Sequence, residues 1–213
     1  MNNEDTLATK ERIKYEKMWE HDSYRRIAPG SKHVDKAIKA FGMTPGTTII
    51  DYGTGSGKAA QMFQDAGMDV IGIDHAMNCL NSDVDIPLMV CCLWDLPAIK
   101  SEVAYCTDVM EHIPDERIDD VLRGIYDRSN VAFYAIDTGK DNCGKVIGET
   151  LHVSIHEAEW WLEKLQHYYE DISYIVHSRY TEFVCKGKIE YCEVCGVKKV
   201  IAKGLWCDAC GSE

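Results

Sequence analysis

The sequence predicts an α/β protein, with one mainly parallel sheet covered by helices on both faces and a small cysteine-rich module behind it. Three observations predict it. Short apolar runs alternate with helical patterns across residues 46–188. Four of those runs end in an aspartate: Asp51, Asp74, Asp108 and Asp137. The C-terminal segment carries a C-x2-C-x11-C-x2-C pattern. The chain thus divides into an N-terminal helical cap (1–45), an α/β domain (46–188) and a cysteine module (189–213).

Composition narrows the function classes. At 213 residues the chain is long enough for one full α/β domain and a small appendage. Its net charge of −12 argues against a broad phosphate-binding surface, because nonspecific nucleic-acid affinity rests on clustered Lys and Arg. No apolar run approaches the length of a membrane helix, and Met1 to Tyr15 is charged rather than signal-like. Ten cysteines without a signal segment fit reduced thiols in a cytoplasmic protein better than a disulfide framework.

Lys10 to Glu20 is helical in composition, and Pro29-Gly30 marks a turn. Pro45-Gly46 introduces the first strand, Thr47 to Asp51, which breaks into Gly53, Gly55 and Gly57. Ala59, Met62, Phe63 and Ala66 then repeat at the helical interval, and Gly67 is placed to cap that helix. Asp69 to Asp74 reads as the second strand, Pro87 to Cys92 as the third and Glu102 to Asp108 as the fourth. Pro114 and Asp115 open a helix with Ile118, Val121, Leu122 and Ile125 on one face. Asn130 to Asp137 is the fifth strand, and polar, glycine-bearing residues 138–149 predict a mobile loop. Ser154 and Glu157 have the spacing of a capping box, which predicts a helix carrying Trp160, Trp161 and Leu165. Asp171–Ser178 and Glu182–Cys185 are short enough for a closing antiparallel hairpin.

Strand, glycine turn and helix make a nucleotide-type site. Glycine lets backbone approach a ligand, and a helix N-terminus offers unpaired N–H groups. Lys58 replaces the last glycine of the dinucleotide fingerprint, and Tyr52 and Ala59 break the P-loop pattern twice. What remains is D-x-G-x-G-x-G, with a carboxylate that suits an amine better than a pyrophosphate. Asp74 follows Gly53 by 21 residues, close to the spacing of a ribose-binding carboxylate.

With these residues, and with Asp108-Val109-Met110-Glu111-His112-Ile113-Pro114 after the fourth strand, residues 15–186 resemble the class I S-adenosylmethionine (SAM) dependent methyltransferases, which have a Rossmann-like sheet. The resemblance implies that Asp51, Gly53, Thr54, Gly55 and Gly57 hold the amino acid end of SAM. It implies that Asp74 and His75 lie at the ribose, Trp94 and Asp95 at the adenine, and Asp108 beside the methyl donor. An N-terminal segment often covers the pocket in such proteins, which makes Trp19, Tyr24, Arg25 and Arg26 candidates for SAM or substrate contact. The candidate proton acceptors are His152, His112, Asp137 and Asp108; at His112 capping or packing is the competing reading, and metal ligation is not expected. The sequence lacks the D/N-P-P-Y/F string of amino-methylating DNA enzymes and the Pro-Cys pair of cytosine C5 enzymes. The Glu111-His112-Ile113-Pro114 segment resembles that of many methyltransferases acting on small metabolites, and the resemblance implies an O or N nucleophile of a small molecule as the acceptor.

Cys192, Cys195, Cys207 and Cys210 place two thiolates on each of two tight turns, a tetrahedral set that suits a structural Zn²⁺. The segment resembles a zinc ribbon. Metal binding would supply roughly 10–16 kcal/mol to a segment too short to fold by apolar burial. Its lysines (198, 199, 203) are outnumbered by its acids (190, 193, 208, 213), which is weak footing for nucleic acid, so docking to a protein is as well supported. The alternative function is an adaptor whose SAM-binding domain is catalytically idle.

Overall fold

The computed structural model describes residues 3–189. The four cysteines of the expected zinc ribbon lie outside them. Seven strands form one sheet: β1 (Thr48–Tyr52), β2 (Asp69–Asp74), β3 (Leu88–Val90), β4 (Ser101–Thr107), β5 (Ser129–Asp137), β6 (Tyr169–Val176) and β7 (Tyr180–Lys188). Their order is β3-β2-β1-β4-β5-β7-β6. The first five are parallel, whereas β7 runs antiparallel between β5 and β6.

Apolar residues on adjacent positions of the central strands feed two cores. Ile49, Val103, Tyr105 and Phe133 pack under α3 (Val34–Phe41) and α4 (Lys58–Asp65). Ile50, Ala104, Cys106 and Tyr134 pack under α5 (Ile118–Arg128) and α6 (Ala158–Gln166). A strand buried on both faces reads as a continuous apolar run, as these do.

Local chemistry explains the helix ends. Gly67 at φ +91° closes α4, its N–H donating to Gln64 O (2.9 Å) while Met68 N–H donates to Phe63 O (3.1 Å). Met62 is largely exposed, and Ala60 takes the inward position instead. The expected capping box at Ser154 does not form. The Ser154 hydroxyl donates to Ile113 O (2.5 Å), and α6 begins only after Glu157. The 138–149 segment is organised by Asp141, whose carboxylate accepts from the backbone N–H of Cys143, Gly144 and Leu151.

The 1–45 segment has two roles. α1 (Asn3–Trp19) and the short α2 (Asp22–Arg25) lie across the C-terminal end of the sheet, where Trp19 packs with Ala76 and Cys79. By contrast α3 is part of the domain core.

Candidate active site

Strand order reverses between β1 and β4, with β2 and β3 on one side and β5 on the other. The crevice outside the carboxyl ends of strands at such a point is where open α/β sheets bind ligands. Here a continuous groove occupies it, in three parts.

The first part is a cleft of about 650 Å³, including its open mouth, between α1 and the ends of β1, β2 and β4. Tyr15, Trp19, Asp74, His75, Trp94 and Val109 are among its walls. The second, about 520 Å³, runs over Asp51, Gly53, Thr54 and Gly55 beneath Tyr24 and residues 27–31. The third, about 710 Å³, lies between Pro29–His33 and the β5 and β7 ends, bordered by Asp108, Asp137, Arg179 and Tyr180. Asp108 borders all three.

Each glycine of the turn has its own reason. Gly53 has φ +71°, and a Cβ there would meet Val109 Cγ2 at 2.3 Å. Gly55 has φ +53°, and a Cβ would stand 3.0 Å from the Trp19 ring. Both line the groove. Gly57 does not. It precedes α4 at φ +79° and faces Leu80 and Val84, so it serves turn and packing.

Two carboxylates flank the turn. Asp51 is buried and accepts the Thr54 hydroxyl at 2.7 Å. Burial, against that hydrogen bond, pushes its carboxyl up to about 7. No cation of the described chain neutralises it through an ion pair, so an incoming ammonium would. Asp74 accepts Gly55 N–H on one oxygen and Ala76 N–H on the other, each at 2.9 Å. These bonds fix its orientation and leave lone pairs for a diol. Burial raises its carboxyl above the ordinary range.

Other expected residues are distributed unevenly. Tyr24 lines the groove and its ring lies 4.7 Å from Trp19. Arg25 is not part of the groove lining: its guanidinium clamps the carbonyls of Asn78, Cys79 and Leu80. Arg26 is exposed, outside the groove lining. Asp95 is also exposed, on a turn closed by its N–H to Cys92 O (3.0 Å), whereas Leu93 and Trp94 line the cleft.

Three of the candidate bases stand in different settings. His112 lines the cleft, and its Nδ1 lies 2.9 Å from Tyr15 Oη and 3.2 Å from Leu151 O. Burial, with His152 nearby, drops its pKa to about 3, so it is neutral. His152 is buried behind it, ring centroids 4.7 Å apart, and its Nδ1 donates to Gly139 O at 2.7 Å. Asp137 accepts Gly139 N–H (2.6 Å) and meets Arg179 at 3.4 Å.

Tyr15, Lys32 and Arg179 carry no sequence motif of their own, whereas Glu111 belongs to the Asp108–Pro114 string. Glu111 is fully buried, and burial together with neighbouring Asp108 raises its carboxyl well above the ordinary range. Lys32 lies over the Tyr180 ring at 4.0 Å. His33, Lys36 and His177 all bond Glu182 next to this wall.

With the geometry in place, likeness to solved structures decides the fold. The chain is similar to magnesium protoporphyrin IX methyltransferase from Synechocystis with bound S-adenosylhomocysteine, at 18% identity over 78% of this chain and 88% of that one, TM-score 0.55. It is similar to 1,6-didemethyltoxoflavin-N1-methyltransferase from Burkholderia thailandensis, at 13% identity over 88% and 91%, TM-score 0.61. It is also similar to a phosphoethanolamine N-methyltransferase from Haemonchus contortus, at 19% identity over 68% of this chain but 38% of that one, TM-score 0.55. The fold is that of the class I methyltransferases. No protein-family model matches the sequence, and no curated protein matches it. In the class I methyltransferase fold seen here, the closing β6–β7 hairpin supplies Ser178, Arg179 and Tyr180 to the groove. No helix among the described residues is long and apolar enough to cross a membrane.

Proposed function

We propose that the protein is a SAM-dependent methyltransferase that methylates an oxygen or nitrogen of a small molecule. One observation carries the reading: two buried carboxylates, Asp51 and Asp74, flank a glycine turn whose Gly53 and Gly55 are open to one groove. Asp51 would pair with the SAM ammonium, Asp74 with the ribose hydroxyls, and Leu93, Trp94 and Val109 would pack on the adenine. The third part of the groove, beyond Asp108, would receive the acceptor. The similar structures carry SAM or its product, and the compounds their descriptions name are small molecules of unrelated chemistry. That supports a small-molecule acceptor without choosing one.

The sulfonium supplies the electrophile. The chain's contribution is to hold nucleophile, methyl carbon and sulfur in line, worth on the order of 7–11 kcal/mol. Asp137 borders this region, His112 lines the first part of the groove and His152 stands behind it, as positioning groups or proton acceptors. Cys192, Cys195, Cys207 and Cys210 form a structural Zn²⁺ site in the same reading, and the protein works in the cytoplasm.

The test is a transfer assay with methyl-labelled SAM and fractionated cell extract. Label in the small-molecule fraction is expected. Label confined to nucleic acid or protein would overturn the acceptor class. SAM binding without label anywhere would favour the idle adaptor, for which the four-cysteine pattern is the supporting feature.

A further inference from the structure

Beside the groove, Glu111, His112 and His152 converge: one donor atom from each lies within 4.8 Å of the others. The loop after β4 contributes the first two, and the segment before α6 the third. Three features point to a ligand. Glu111 is fully buried, and its Oε1 accepts Asp137 N–H at 3.1 Å, yet its Oε2 is enclosed with no N–H or hydroxyl group bonded to it, the Asp108 carboxyl being a polar neighbour of note. A buried carboxylate oxygen left without a donor is costly, and a cation removes that cost.

Second, each imidazole is oriented by a backbone carbonyl at Nδ1, Leu151 O for His112 and Gly139 O for His152. A carbonyl only accepts, so at His152 Nδ1 carries the hydrogen and Nε2 keeps its lone pair; His112 Nδ1 is shared between Leu151 O and the Tyr15 hydroxyl, which stands 2.9 Å away. This is the outer-shell arrangement that orients metal-binding histidines. Third, no basic side chain bonds Glu111, while Asp108 adds a second carboxyl within hydrogen-bonding reach of it.

We propose that Glu111, His112 and His152 bind one divalent first-row transition ion beside the groove, behind the wall that His112 forms, and that its open positions take an oxygen of the methyl acceptor. One carboxylate with two imidazoles suits Mn²⁺, Fe²⁺, Co²⁺ or Zn²⁺ better than Ca²⁺ or Mg²⁺, which favour all-oxygen sets. Three protein ligands leave coordination positions free, as in catalytic rather than structural sites. The acceptor's part rests on the methyl-transfer reading, whereas the ion's binding does not. A hydroxyl bound to the ion gives its proton to solvent more readily. Its oxygen then bonds the methyl carbon as the carbon–sulfur bond breaks and leaves the neutral thioether.

Mn²⁺ is the probe, because it prefers oxygen and nitrogen donors and avoids competition from the four thiolates. The full chain is titrated in metal-free buffer and unbound Mn²⁺ is followed by electron paramagnetic resonance. One ion per chain is expected, retained in Cys192→Ser and weakened at least about tenfold in both Glu111→Gln and His152→Asn. Absence of binding by the wild-type chain at millimolar Mn²⁺, or undiminished binding by both variants, would overturn the site. SAM binding is measured calorimetrically on the same samples. Mn²⁺ bound without SAM affinity would uphold the ion site and remove the methyl-transfer reading instead.

Discussion

The two ends of the groove are built in different ways. Around Asp51, Gly53, Gly55 and Asp74, the ligand surface is backbone and short side chains, contiguous with β1 and β2, and fixed by hydrogen bonds at 2.7–2.9 Å. Around Lys32, Asp137, Arg179 and Tyr180, it is side chains delivered by the turn before α3, the end of β5 and the β6–β7 hairpin. The contrast teaches which half can vary. A backbone cradle admits few substitutions, whereas a wall of side chains can be retuned for a different acceptor without disturbing the first half.

The sharpest way to break that comparison is Gly53→Ala. A left-handed backbone costs a β-carbon roughly 1–2 kcal/mol, and crowding Val109 adds roughly 1–3 kcal/mol. SAM affinity should fall by about two to three orders of magnitude in calorimetry, with part recovered in Gly53→Ala/Val109→Ala. If affinity is unchanged, the turn does not touch the ligand. Next in size is Asp74→Ala, which removes charge-assisted hydrogen bonds worth about 1.5–3 kcal/mol each. Retained affinity in that variant would mean that the ribose lies elsewhere.

A smaller effect comes from pH. With the Asp51 carboxyl near 7, the empty site is protonated below that pH, and binding an ammonium must expel the proton. SAM affinity should therefore be full above pH 7 and decline below it, approaching about tenfold per pH unit. Asp51→Asn should bind more weakly and lose most of that slope; an identical slope would place the titration on another group. The smallest effect on SAM is expected at the other end. Arg179→Ala removes an exposed ion pair with Asp137, worth roughly 0–1 kcal/mol, so SAM affinity should hold while the Michaelis constant for the acceptor shifts. A large loss of SAM binding would erase the division between the two ends.

The same division explains what was legible in the sequence. Asp51, the glycine turn and Asp74 form a local pattern, and the sheet follows from apolar runs buried on both faces. Gly57 also has a packing reason to be glycine, since a Cβ there would meet Leu80 and Val84. Asp95 precedes Leu-Pro, a common turn, and the turn is what it makes. Ser154 has an N-cap's spacing, but the Ile113 carbonyl outcompetes the helix for its hydroxyl. The wall of the third part of the groove was illegible because it depends on β7 inserting between β5 and β6, a long-range pairing that brings Arg179 to Asp137. The meeting of His152 with Glu111 is likewise a product of topology. No periodicity or spacing encodes it.

Asp108 is the one non-glycine among the described residues with a positive φ, at 60°. It stands at the junction of all three parts of the groove with its carboxyl close to that of Glu111. A neutral amide there tolerates the left-handed turn and ends the repulsion, so Asp108→Asn should melt about 2–4 °C above the wild type for a gain near 1 kcal/mol, read by thermal denaturation at pH 8. Turnover should fall in the same variant. If both outcomes hold, a search for heat-tolerant descendants of this protein would be drawn to a position where stability and turnover pull apart.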